Sequence, residues 1–144
     1  MRVGEVAISV VWPPPLDDPT ALWRNNDGTV LRLRYGDQVF LFAADIEKEA
    51  ETRILGAGVD IRSNIVKVAH HGSRTSSTQS FIDATRPSLA IISVGRTSIF
   101  GHPHKEVVDR WRASGAQVLT TGERGTISVV TDGRSVNVET FVRQ

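Results

Sequence analysis

Val39-Phe40-Leu41-Phe42-Ala43-Ala44-Asp45 is an apolar run that ends on a lone carboxylate. Ile65-Val66-Lys67-Val68-Ala69-His70-His71-Gly72 is a second such run, and it ends on two imidazoles. Runs this short, bounded by turn residues, read as buried strands. A segment of helical composition follows the first over 46–55, stopped by Gly56 and Gly58. A second helix follows the other run through Phe81, Ile82 and Ala84, with Ser76 or Ser77 as its cap and Arg86-Pro87 as its end. A third run, 89–94, leads through a loop over 95–103 to a helix over 104–114 that buries Val107, Val108 and Trp111. Strand–helix alternation of this kind collects chemistry at the strand ends.

The flanks are β-rich. Residues 5–12 alternate, with Val6, Ile8, Val10 and Trp12 on one face, until Pro13-Pro14-Pro15 breaks the ladder. A polar loop is expected over 16–28. Residues 29–35 and 38–44 form a hairpin about Gly36-Asp37. Strands over 118–121, 126–131 and 135–142 close the chain, the last two joined at Asp132-Gly133. The sequence therefore predicts one α/β (α+β layered) domain over 1–144, a mixed sheet covered by helices on one face. Trp23 and Trp111 read as core residues.

Composition narrows the function classes. The chain has 144 residues, a formal net charge of +1 and no cysteine. There is no strong basic field for nucleic acid, and thiolate ligands and disulfides are excluded. No apolar stretch approaches the roughly 20 residues that span a bilayer, and no signal-peptide pattern is present, so a soluble chain is expected.

All four histidines fall in two clusters, His70-His71-Gly72-Ser73 and Gly101-His102-Pro103-His104. Imidazole with carboxylate suits zinc, manganese or iron. Asp45 reads either as a helix cap or as a metal ligand, two compatible roles. One of His70 and His71 reads as a ligand and the other as its support or proton shuttle. Ser73, Arg74 and Thr75 suit a phosphate. His102 and His104 share one side of an extended segment and suit substrate contact or acid–base work. Polar loops with exposed imidazoles are the alternative for both clusters.

Asn25-Asn26, Thr29-Val30-Leu31-Arg32-Leu33, the segment from Phe40 through Asp45 to Glu51, Val66-Lys67-Val68-Ala69-His70-His71-Gly72-Ser73, Ile91-Ile92-Ser93-Val94-Gly95 and Gly101-His102-Pro103-His104 together resemble one family. It is the metallo-β-lactamase-like domain of the DNA-internalisation competence proteins, the ComEC/Rec2 family. The resemblance implies an αββα sandwich of two similar halves, of which this chain matches the C-terminal half. It implies a dinuclear manganese or zinc site of phosphodiesterase type. It also implies a parent protein in the bacterial cell membrane that passes single-stranded DNA, with this domain soluble. Asp45 matches the metal-bridging acid, although the family has Gly-Asp where this chain has Ala44-Asp45. His71 matches a terminal ligand, with His70 as its neighbour and the reverse assignment open.

The family's main metal motif, His-x-His-x-Asp-His or a variant such as Asp-x-Asp-His, is absent. A hydrolytic metal needs about three protein ligands and an open position. The chain alone is therefore expected to hold metal weakly, or to hold none, and to be inactive. Its expected partner is the missing N-terminal half. The alternative is a non-catalytic binding or assembly module that pairs with another chain, a homodimer included, to cover its apolar sheet face.

Overall fold

The alternation on either side of Gly36-Asp37 folds as expected. In the computed structural model, which describes residues 1–14 and 24–142, strands β1 (Arg2–Val3), β2 (Val6–Trp12), β3 (Val30–Tyr35) and β4 (Gln38–Phe42) pair antiparallel. Leu33 faces Phe40 and Tyr35 faces Gln38 across the turn. From β4 the sheet continues in parallel through β5 (Ile65–Lys67), β6 (Leu89–Ile92) and β7 (Gln117–Thr120). Strand order equals chain order across all seven strands.

Helices α1 (Lys48–Gly56), α2 (Gln79–Thr85) and α3 (Lys105–Ala113) make the three parallel crossovers. Each crossover advances one strand in the same direction. The right-handed rule then puts all three helices on one face. Leu41, Val66, Val68 and Ile92 point to that face and bury Ile54, Phe81 and Trp111. Side chains this size contribute about 1.5–3 kcal/mol each on burial.

The alternate residues Ile65, Leu89 and Leu119 point the other way. They meet a hairpin, β8 (Ile127–Thr131) with β9 (Val136–Thr140), through Val129 and Val138. This hairpin is a separate two-stranded sheet laid across the main one. The result is a helix–sheet–hairpin layering, a mixed sheet with helices on one face. Part of the hairpin-side face is thus covered by the chain itself. Toward β2 and β4, Val10 and Phe42 remain exposed.

Several local expectations change. Asp45 does not cap α1: Glu47 holds the N-cap position, two residues later. Thr78, rather than Ser76 or Ser77, caps α2, its hydroxyl accepting from Phe81 N at 3.4 Å. β5 stops at Lys67, and a 3-10 turn over Ala69–Gly72 carries both histidines. A register shift between Val10 and Trp12 breaks the single apolar face of β2: Trp12 joins Val11 against the helix-side core, and Val10 stays exposed on the other face. Residues 25–27 form a 3-10 turn, Thr121–Arg124 forms a fourth short helix, α4, and neither is expected from periodicity. Trp23 and most of the polar loop over 16–28 lie outside the described residues, while Trp111 is fully buried.

Candidate functional site

The carboxyl ends of β4, β5 and β6 meet at one rim, where ligand sites gather in open α/β sheets. After β4 the chain turns through Ala44, at φ 47°, and sets Asp45 on that rim. After β5 the backbone N–H of His70 donates to Ala44 O at 3.1 Å, joining the two turns. His70 and His71 are both left-handed, at φ 46° and 54°. Such angles cost a non-glycine residue roughly 1–2 kcal/mol each and concentrate at working sites. Gly72 follows at φ 79°, and a Cβ there would lie 2.7 Å from Pro103 Cβ. Gly72 therefore lets the second histidine cluster dock on the first, with His104 N donating to Gly72 O at 3.0 Å.

His71 is the better defined of the pair. Its Nδ1 donates to the carbonyl of Ser93, just past β6, at 2.6 Å. A carbonyl only accepts, so the proton sits on Nδ1 and Nε2 carries the free lone pair. That Nε2 lies 3.6 Å from Asp45 Oδ1. Two acceptors so placed call for a cation between them, a proton or a metal ion. Two ligands bound at about 2.1 Å to one tetrahedral ion would stand about 3.4 Å apart. Asp45 and His71 fit that spacing as two donors. Among the described residues no group of three His, Asp or Glu side chains forms a metal cage.

His70 turns its ring elsewhere, 6.4 Å from that of His71 and at 65° to it. Its Nδ1 is buried, without a hydrogen-bond partner, 3.4 Å from Glu47 Oε1. His102 stacks edge-on between His70, at 5.7 Å, and His104, at 5.2 Å. Burial, then the three neighbouring imidazoles, hold His102 below the ordinary imidazole value, with Asp45 opposing. Arg74 Nη2 donates to His104 Nδ1 at 3.2 Å, which fixes the His104 proton on Nε2.

All eight residues singled out from sequence lie on or beside this rim. Ser73 is buried, its Oγ 3.0 Å from Thr75 Oγ1, and Thr75 Oγ1 donates to Glu47 Oε1 at 2.7 Å. Arg74 keeps an exposed head. A groove of about 400 Å³ opens between His71, Ser93, Ser98, Phe100 and His102. On the other side of Ser93 a cleft of about 370 Å³, lined by Phe40, Ile65, Ile91 and Val129, lies under the hairpin.

Three groups escape the sequence reading. Glu47 touches His70, the Ser93 carbonyl sets the His71 tautomer, and Lys67 donates to Ala44 O at 3.1 Å and stands 3.7 Å from Asp45 Oδ1. Burial lowers the Lys67 ammonium from its usual value, and Asp45 pulls it back up. Glu47 carried one signal, its position two residues after Asp45. The other two depend on which strands pair.

No family model matches the chain. Individual relatives do. It is 34% identical over 117 residues, 81% of its length, to ComE operon protein 3 of Bacillus subtilis. It is 33% identical over 104 residues, 72% of its length, to competence protein ComA of Neisseria gonorrhoeae. The chain is homologous to the competence proteins. Recombination protein 2 of Haemophilus influenzae extends the set, at 31% identity over 108 residues and 73% of the chain. The chain spans 15%, 15% and 13% of these three competence relatives. Among the described residues no helix is long and apolar enough to cross a membrane.

Proposed function

We propose that residues 1–144 are one unit, the C-terminal half of a metallo-β-lactamase-like domain in a competence protein, and that the domain hydrolyses phosphodiesters of single-stranded DNA. The Asp45–His71 donor pair, 3.6 Å apart at the strand rim, carries this reading. Asp45 and His71 would hold a manganese or zinc ion together with ligands from the preceding half. When bound, the ion supplies Lewis-acid polarisation of the phosphoryl group.

The residues of this chain then divide the remaining work. The Ser93 carbonyl keeps the His71 lone pair aimed at the ion. His70, held beside Glu47, and His102, whose basicity burial and the neighbouring imidazoles lower, exchange protons with the attacking and leaving oxygens. Arg74 supplies a positive charge and His104 an Nε2–H donor at the edge that meets the phosphate, and Ser73 and Thr75 hold the turn that presents it. The parent protein places this unit beside the bacterial membrane. Alone, the unit holds divalent metal weakly and hydrolyses little.

The test joins residues 1–144 to the preceding half of the parent domain and assays single-stranded DNA with manganese. Cleavage that Asp45→Ala abolishes supports the reading. Cleavage that survives Asp45→Ala overturns it.

A second reading, a non-catalytic module that pairs with another chain, draws on the exposed Val10 and Phe42 and on the two-donor set. Light scattering separates the two. Stable self-association through β2 and β4, with no cleavage after the halves are joined, favours the second.

A further inference from the structure

One fully buried carboxylate has no part in the site as described. Glu51 sits on α1, one helical turn after Glu47, with no solvent exposure. Burying a carboxylate costs several kcal/mol unless hydrogen bonds answer it, and an apolar side chain would fill such a position more cheaply. Both oxygens of Glu51 are engaged. One accepts the backbone N–H of Ser77 at 2.5 Å and the other that of Thr78 at 2.8 Å. From α3, Arg110 donates to the carbonyl of the same Ser77. Ser77 is held left-handed, at φ 59°, with its own hydroxyl buried and unpartnered. Two elements thus grip one strained residue.

The gripped segment is the continuation of the histidine turn. Ser76 Oγ lies 3.1 Å from Ala69 O and 3.0 Å from Ser73 O. Ser73 N donates to His70 O at 2.9 Å, and Lys48 N donates to Thr75 O at 2.9 Å. Thr75 reaches Glu47, which faces His70. A shift at Ser77 therefore reaches His70 by two routes, through Ser76 to the turn and through Thr75 to Glu47.

We propose that Glu51, with Arg110, is a positioning residue for the His70–His71 turn, acting through residues 73–78. It touches neither imidazole. Its role is to hold the left-handed turn against relaxation, so that His71 stays on Ser93 and His70 stays against Glu47. The proposal rests on the reading that this turn is the working site, but its test needs neither metal nor DNA.

The experiment compares wild type with Glu51→Gln in the 144-residue chain, by imidazole nitrogen NMR and by the rate of histidine acylation with diethyl pyrocarbonate. Glu51→Gln keeps the volume and one acceptor oxygen, and sets an amide NH2 against the second N–H. In the folded variant the His70 and His71 ring signals should move, and the His71 tautomer now set by Ser93 should mix. His70 acylation should rise roughly tenfold, as expected for loss of one charge-assisted hydrogen bond. Amide signals of the β8–β9 hairpin should stay in place. A folded variant with unmoved ring signals overturns the proposal.

Arg110→Met reads the same grip from the other side, and unmoved rings there also count against it. Hydrogen exchange in the wild type needs no variant. Ser77 and Thr78 amides should exchange as slowly as those of α1, and fast exchange overturns the proposal whatever the variants do. Moved rings without manganese binding in the joined domain would leave the positioning role standing and sink the metal reading. Manganese binding with unmoved rings would do the reverse.

Discussion

Asp45 Oδ1 and His71 Nε2 face each other across 3.6 Å, one from the turn after β4 and the other from the turn after β5. Both groups accept: the carboxylate oxygen offers only lone pairs, and the His71 proton is kept on Nδ1, which donates to the Ser93 carbonyl. Their pairing makes sense around a cation, and the surrounding turns hold several residues in left-handed conformations to achieve it.

Gly72 should be the least replaceable glycine of the rim. Gly72→Ala meets both its φ of 79° and a 2.7 Å approach to Pro103. We expect a loss of about 2–4 kcal/mol in urea unfolding, strain plus overpacking. Gly58 shares the left-handed geometry, at φ 66°, but has open space around it. Gly58→Ala should cost only about 1 kcal/mol. Equal losses would mean that the two histidine loops are not packed as described.

Lys67 places an ammonium 3.7 Å from the oxygen that the cation would use. Replacing it with methionine keeps the buried stem and removes a competing charge. Lys67→Met should strengthen divalent-metal binding roughly tenfold, after allowing for screening. Isothermal titration with manganese checks this, and weaker binding would show that Lys67 helps to hold the site.

Glu51 gives the pH dependence a defined sign. Burial raises its carboxyl above the ordinary 4.5, and the N–H groups of Thr78 and Ser77 and the charge of Arg110 only partly offset this. The folded chain therefore holds that proton more tightly than the unfolded chain. The resulting stability is full below about pH 4.5 and is lost as pH rises through the folded value. The unfolding free energy of wild type minus that of Glu51→Gln should fall over that window. Asp60 and Asp132, both lowered by hydrogen bonds, act with the opposite sign, and they cancel in the difference. A difference that rises with pH would mean that the Ser77 and Thr78 hydrogen bonds and Arg110 outweigh burial at Glu51.

Much of this was readable from residue order. Apolar runs that end at Asp45 and at His70-His71 mark parallel strand ends, because buried strands are short and continuous. Helix faces such as Val107, Val108 and Trp111 follow from spacing. Other features lie beyond periodicity. A left-handed conformation at Ala44 and Ser77 has no propensity signal, and at His70 and His71 only a weak one, since histidine is merely enriched there. Glu47 and Glu51 look like ordinary helical acids one turn apart, and only the fold of 73–78 over α1 gives them work. The closing hairpin was legible as a hairpin. Its crossing of the sheet face depends on where Leu89 and Leu119 point in space.

Asp45 and His71 are proposed above all as a cation-binding pair. A zinc titration of the 144-residue chain, followed by imidazole nitrogen signals, tests it directly. We expect weak binding in which Nε2 of His71 shifts first, while its Nδ1 stays protonated and donating to Ser93, and in which Asp45→Asn abolishes the shift. First movement at His102 or His104, with His71 unchanged at saturation, would contradict it.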